Sequence, residues 1–455
     1  MDTFRFHQPL IPPSGGSSTP DASADGLTPA VTRVRSTQAS WDLLLICVAG
    51  YMLMAVGRVH QLYPVLQILR PAAVFGFGAL VLYLLDERRS RQLHRLWVPT
   101  TVCLLALLSW IVVSIPTSIY RGNSYNLLAD NFIKTVLMYA VIAGSVRGSR
   151  DVERLAFVYY LSAVIYASVV LTRFNLGSGT DWRLNNLYYY DANDFATFAV
   201  SAMPIGLYFA HAGRRSLTRI FSAIGLVLLT MVLVYSGSRG GFLAVLAMGA
   251  YVVLRYNAIA LRWRVSAFVV VALVFLTVAT GEYWRQMATI GSDTDYNQTQ
   301  ESGRIQIWSR GIGYMLDNPL LGVGANNFST AEGTLSPQAT RNQFGLGVRW
   351  SAAHNSFVQI GAELGIPGLL LFIALLVSAF AALLGSARQR RRNPAFRGRV
   401  LELRQALTGS LIGFVVGAFF LSLAYNEMLY TLLALAVGIA KISAAAAPVA
   451  RRAGQ

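Results

Sequence analysis

A few ionisable residues stand out because they interrupt an otherwise apolar chain. Arg183 lies in RFNLGSGTDWRLNNLYYYDANDF, and Arg239 lies in YSGSRGGFLAVL. Arg304 and Arg310 share ESGRIQIWSRGIGYMLDNPLLGVGANNF, and His354 and Glu363 share RWSAAHNSFVQIGAELGIPG. A guanidinium is always charged and presents a planar fork of donors, which suits two phosphate oxygens at once. Two or three such groups converging just above a bilayer would hold a diphosphate on a lipid whose tail lies between helices. The competing reading is that each arginine reaches toward lipid headgroups or pairs with Asp181, Asp191, Asp194 or Glu301. An imidazole titrates near neutrality, so His354 is suited to accept a proton from a hydroxyl, although an interfacial histidine can equally be a packing residue. On a helix starting near Ala352, Val358, Gly361, Ala362 and Gly365 would follow on the side of His354, a small-residue face open to close approach. Asn355 stands next to His354 as a supporting residue, and Glu363 would orient His354 or be protonated. Gly365-Ile366-Pro367-Gly368 then fits a break inside the helix.

The elements that must position these groups are membrane helices. The chain is 55% hydrophobic and only 13% charged, with a mean hydropathy of +0.49. Repeated apolar runs of roughly 16–20 residues identify an all-α, polytopic transmembrane bundle. No alternation of the kind a membrane β-barrel requires is present. Spans are expected near 41–56, 71–85, 97–115, 132–146, 155–172, 193–211, 218–236, 240–255, 265–280, 364–384, 407–424 and 427–441, about twelve. Arginine clusters follow every second span: Arg88–Arg95, Arg147–Arg154, Arg214–Arg219, Arg255–Arg264 and Arg388–Arg399. Positive charge marks the inner side, so both termini are expected in the cytoplasm. The expected organisation is a disordered tail over 1–40, helices 1–9 over 41–280, a large outer loop over 281–353, helices 10–12 over 354–442 and a second tail over 443–455.

Several classes are disfavoured. The formal charge of +17 is spread through loops and not massed on a nucleic-acid-binding face, and all but Lys134 and Lys441 of the 38 basic residues are arginine. Cys47 and Cys103 fall inside apolar runs and read as small buried hydrophobes, not as a disulfide or metal pair. The outer acids Asp293, Asp295, Glu301 and Asp317 show no metal-ligand spacing, so no metal and no other cofactor is expected. A twelve-span secondary transporter or a flippase for an envelope precursor is the main alternative. Such proteins carry ionisable groups or broken helices at mid-bilayer in related halves, whereas here the acids gather at span ends and no inverted repeat is evident.

SRGGFLAVL, then a Gly-Arg-x-x-x-Trp segment leading to NPLLGVGANNF, then HNSFVQIGAELGIPGLLLF, together resemble the O-antigen ligase and O-antigen polymerase superfamily, most closely over Tyr235–Phe372. The resemblance implies a GT-C type glycosyltransferase of the bacterial inner membrane. Such an enzyme would take an undecaprenyl-diphosphate-linked glycan as donor on the periplasmic side, without nucleotide sugar or metal. It implies Arg183 and Arg304 as diphosphate ligands, with Arg310 or Arg341 as reserves, and His354 as the base. Arg239 falls in the SRGG signature, where a turn between spans is an equally good reason for it. The acceptor would be another lipid-linked glycan, in a polymerase, or lipid A-core, in a ligase. HQLYPVLQILRP at 60–71 leans toward exopolysaccharide-type polymerases, for which a chain-length regulator would be a partner.

Overall fold

A computed structural model describes residues 40–173, 182–184, 187, 189–290, 292, 295–341, 349–385 and 398–452. The amino-terminal tail, Asp181, Asp293 and most of the basic run after Arg388 lie outside the described residues. Among those described there is no strand, and the longer helices run as follows. α1 is Leu43–Ala55, α2 Pro71–Leu84, α3 Pro99–Ser114, α4 Arg121–Ser145 and α5 Ser149–Arg173. Next come α6 Ala192–Ala212, α7 Ser216–Ser236, α8 Arg239–Arg255, α9 Leu261–Val278 and α10 Gly281–Ala288. The rest are α11 Arg304–Asp317, α12 Phe328–Thr334, α13 Ser356–Leu384, α14 Gly398–Ala418 and α15 Glu427–Arg452.

Among the described residues, eight helices are long and apolar enough to cross a membrane: Pro99–Thr117 (α3 with its short extension), α4, α5, α6, α7, α9, α13 and α14. α1 and α2 are apolar but shorter, and α8 has 17 residues. Several helices outrun their apolar runs. α4 begins at Arg121 and passes through a π-turn at Leu127–Phe132, where the sequence predicts a start near 132. α13 begins at Ser356, not near 364, and α15 continues to Arg452, beyond the expected end near 442.

Burial separates core helices from peripheral ones. In α6, 78% of the apolar window is buried, against 11% in α9. A helix enclosed on nearly every face belongs to the centre of a bundle, and α6 packs there with α14 and α7. The stretch Met428–Ile439 of α15 is likewise buried almost throughout. α9 leans on α7 and α8, and most of its Val, Leu and Phe side chains point away from the protein.

One end of the bundle is closed by cations placed on helix carboxyl termini. Such carbonyls lack partners inside their own helix, and basic groups relieve them. Arg404 donates to Leu383 O at 3.0 Å and Ala382 O at 2.6 Å at the end of α13. Lys441 donates to Ala143 O at 2.9 Å and Gly144 O at 2.8 Å at the end of α4. At the same end, Arg91 and Arg147 share the carboxylate of Asp42, which caps α1. The opposite end of the bundle carries the residues that the sequence singles out for chemistry.

Candidate functional site

His354 is not part of a helix that begins near Ala352. Asn355 is extended (φ −163°) and its side chain accepts hydrogen bonds from the amides of Phe357 and Val358 at 2.9 and 3.1 Å. This satisfies two of the amides that every helix start leaves unpaired, so α13 starts after Asn355. His354 therefore lies outside the first turn, in the left-handed region at φ +47°. A non-glycine residue is uncommon in that conformation, and here four hydrogen bonds hold the backbone around it. The His354 amide donates to Ser422 Oγ at 2.9 Å. Ser356 Oγ donates to Leu421 O at 2.7 Å and accepts from the amide of Leu423 at 2.9 Å. Trp308 Nε1 donates to Ala353 O at 3.0 Å, its ring edge-on to Phe419 with centroids 5.5 Å apart.

The Gly-Arg-x-x-x-Trp spacing now has a physical meaning. Arg304 opens α11 and Trp308 follows one turn later on the same face. While Trp308 fixes the residue before the histidine, Arg304 lies close enough to act on the imidazole's charge, as do Arg349 and Asp191. The half-buried ring is held below the usual histidine pKa, first by burial and then by Arg304, with Asp191 opposing. Both leading causes disfavour the imidazolium, leaving the neutral ring available as a proton acceptor.

Arg183 approaches from the connection before α6. Its Nε donates to Ser236 O at 2.6 Å and its Nη2 to Asn193 Oδ1 at 3.0 Å. Asn193 sits in the first turn of α6, two residues after Asp191, which caps that helix through the amides of Asn193 and Asp194. Arg183, Asp191, His354 and Arg304 are thus joined through the amino end of α6. The SGSRGG turn supports this arrangement. Gly237 ends α7 at φ +57°, and a Cβ there would stand 2.7 Å from the Trp182 ring and 3.2 Å from the Arg183 side chain. Only glycine allows that turn and that approach together.

Arg239 and Arg310 are engaged differently. Arg239 Nη1 reaches Asp295 Oδ2 at 2.6 Å and Thr289 Oγ1 at 2.7 Å. Burial by itself would raise the Asp295 pKa, but the Asn297 amide and Arg239 outweigh it and hold the carboxylate below its ordinary range. Arg310 grips the buried Glu332 with Nε and Nη2, the latter at 2.6 Å, and donates to Glu301 O at 3.0 Å. Tyr314 OH adds a 2.9 Å bond to the same carboxylate. A bidentate pair of this kind is a structural clamp between α11 and α12, so its nitrogens are committed within the protein. The Arg341 side chain lies outside the described residues.

Glu363 does not orient His354 through any described hydrogen bond. It is buried where α13 breaks: Gly365 has φ +70° and ψ −171°, and Pro367 follows. The break frees carbonyls that an unbroken helix would have used, and the GVGANNF segment takes them. Val323 N donates to Ala362 O and Gly324 N to Glu363 O, both at 2.9 Å, while Trp110 Nε1 donates to Leu364 O at 3.0 Å. In return Ile366 N donates to Pro319 O at 2.8 Å. A Cβ on Gly365 would meet Leu320 O at 2.5 Å. The Glu363 carboxyl accepts from Asn326 N at 2.9 Å, Phe328 N at 3.2 Å and Tyr425 OH at 2.8 Å. Its work is to fasten the Asn326–Phe328 segment to α13 and to the α14–α15 loop.

Sequence reasoning underused Asp191, Asn193, Arg349 and Ser422. Asp191 carried a helix-start signal, a carboxylate before an apolar run. Ser422 carried none, since it reaches His354 across 68 positions. Among the described residues no three His, Cys, Asp or Glu side chains gather as metal ligands would. No curated protein matches the chain. Residues 224–373 match the O-antigen ligase family model, a segment that contains the SRGG turn, Arg304, Trp308, His354 and the Gly365 break. That match spans about a third of the chain, and over it the protein is similar to the O-antigen ligase family.

Proposed function

We propose that the protein transfers a glycan from a lipid-diphosphate donor of the undecaprenyl type to an acceptor hydroxyl at the outer face of the bacterial inner membrane. The family is one of membrane glycan-transfer enzymes. The observation that carries the proposal is the confluence of His354 with Arg304, Arg349 and Asp191, beside an Arg183 anchored through Asn193. In this reading the chain crosses the membrane about twelve times with both termini inside, and the segment 281–353 covers the site from outside.

The acceptor oxygen attacks the anomeric carbon from the face opposite the diphosphate. As the new C–O bond forms, the bond between the anomeric carbon and the diphosphate oxygen breaks, so the configuration inverts. The acceptor proton passes to His354 Nδ1 or Nε2, and the lipid diphosphate leaves with the bonding pair. Arg183 and Arg304 stabilise the charge that develops there, which is where preorganised donors contribute most. Arg349 is a third cation for that anion, while Arg239 and Arg310 hold the surrounding frame. Neither polymerase nor ligase activity is favoured by a specific observation; the two differ in the acceptor alone.

The test separates binding from chemistry. A positioned base contributes about a hundred- to ten-thousand-fold. Purified His354→Gln should lose about that much transfer rate and keep its affinity for a lipid-diphosphate glycan. Normal transfer by the variant would make the ring a packing group, and poor donor binding would move His354 into the binding set.

A further inference from the structure

Beside that site begins a feature it does not use. α6, α7, α8 and α9 enclose an overwhelmingly apolar crevice of about 670 Å³. It runs from Phe242 and Trp284 at the end of the bundle that holds the site to His211, Arg219, Trp263 and Arg264 at the other. Its outer wall is α9, the least buried of the membrane-length helices among the described residues. Straight apolar walls of this length suit a hydrocarbon chain.

The far end of the crevice is not apolar. Arg264 is only 9% exposed, in the first turn of α9. Its Nη1 donates to Val253 O at 2.6 Å, and its Nε has no hydrogen-bond partner. Arg219, in the first turn of α7, donates its Nε to Gly213 O at 2.8 Å. Among the described residues neither guanidinium has a carboxylate within ion-pairing distance; the nearby Glu402 faces His211 Nδ1 at 3.6 Å. A largely buried cation such as Arg264 without an anion is costly, whereas Arg219 is exposed. Arg215 and Arg262 add further positive charge at the same helix ends, where Arg214 is paired with Glu153 at 3.6 Å.

We propose that this crevice is a binding site for an anionic membrane phospholipid, its acyl chain between α7 and α9 and its phosphate on Arg264 and Arg219. A polyisoprenoid tail reaching down from the candidate site would fill the same apolar walls, but it carries no charge at its far end and would leave the arginines as they are. Basic pockets between membrane helices recognise anionic headgroups in this way. The inference is independent of the transfer chemistry proposed above.

The experiment is native mass spectrometry of the detergent-purified full chain, titrated with phosphatidylglycerol and with phosphatidylcholine of matched acyl chains. The wild type should retain phosphatidylglycerol at least tenfold better. Arg219→Gln/Arg264→Gln should abolish that preference, and Arg219→Lys/Arg264→Lys, which keeps the charge, should retain most of it while showing that the fold survives substitution. Gly249→Trp, which projects into the crevice, should reduce retention of both lipids. Equal retention of the two lipids by the wild type, or an unchanged preference in the glutamine variant, overturns the proposal. So does displacement of phosphatidylglycerol by undecaprenyl phosphate that binds wild type and glutamine variant equally, which would give the crevice to the donor's tail.

Discussion

Replacing Glu363 tests whether the segment Val323–Phe328 is held by the break in α13. Oε2 serves two donors, Asn326 N and Tyr425 OH, and Oε1 serves Phe328 N, with Gln359 a further side-chain partner of the carboxyl. Glu363→Gln keeps the shape but has one acceptor oxygen. Placing that oxygen toward the two donors leaves the Phe328 amide facing an NH₂ group. A buried donor deprived of its partner costs about 1–3 kcal/mol. At about 1.4 kcal/mol per decade, the Phe328 amide should exchange with solvent roughly 5- to 150-fold faster. Glu363→Ala strips Asn326 N, Phe328 N and Tyr425 OH together, so local opening of the segment should become easier by about 3–9 kcal/mol. Hydrogen–deuterium exchange, read on a peptide spanning Val323–Thr330, gives the expected order of Ala fastest, Gln next and wild type slowest. The helix interior around Leu375 should stay protected in each, because local openings are confined to cooperative units. If the Ala variant exchanges at Asn326 and Phe328 as slowly as wild type, the carboxyl is not the fastening described.

Arg304→Lys should lose most transfer activity with normal folding, since lysine retains charge without the bidentate fork; near-wild-type transfer in both Arg304→Lys and Arg304→Ala would remove it from the diphosphate site. The His354 pKa, followed by NMR of labelled histidine, should lie below the ordinary value of about 6.5. Arg304→Gln removes a repelling cation and should raise it, whereas Asp191→Asn removes an attracting anion and should lower it; opposite signs would refute the placement of either group. Because the fold prefers the neutral ring, the His354 contribution to stability is intact above about pH 6.5 and is lost as pH falls through the lowered folded value. Gly365→Ala should destabilise by about 1–3 kcal/mol from backbone strain alone, with the Leu320 carbonyl adding to it, measurable as a lowered unfolding temperature; an unchanged temperature would mean that the break tolerates a side chain.

Hydropathy made the apolar helices readable because length and composition suffice to identify them, and α6, α7 and α9 begin and end within a few residues of expectation. Starts set by a single cap were harder. His354 looked helical because small residues recur after it at helical spacing, yet the Asn355 side chain stops the helix one residue later. An asparagine immediately before Ser-Phe-Val is a helix-start signal and was available in the sequence. Partnerships across long separations were not. Nothing local distinguishes Arg310, which grips Glu332 22 positions away, from Arg304, which faces His354. Likewise Glu363 sits nine residues from His354 but bonds to groups 35, 37 and 62 positions distant. The motifs identified the participants, and only the fold showed which of them lie near His354 and which are paired elsewhere.

The break at Gly365 also bears on how the chain is made. A helix entering hydrocarbon with bare carbonyls at Ala362, Glu363 and Leu364 would be strongly disfavoured until donors arrive. Each of those donors, Trp110, Val323 and Gly324, is synthesised before the helix that needs it. The segment from Pro319 to Gly324 can therefore act as a waiting cradle, so that α13 is received as it emerges and never has to linger half-satisfied in the lipid. Tyr425 comes last and closes the carboxyl of Glu363 from the other side. Chain order thus puts the Pro319–Gly324 segment before α13 and the α14–α15 loop after it, so Tyr425 and Ser422 can reach Glu363 and His354 only once all of these have been made.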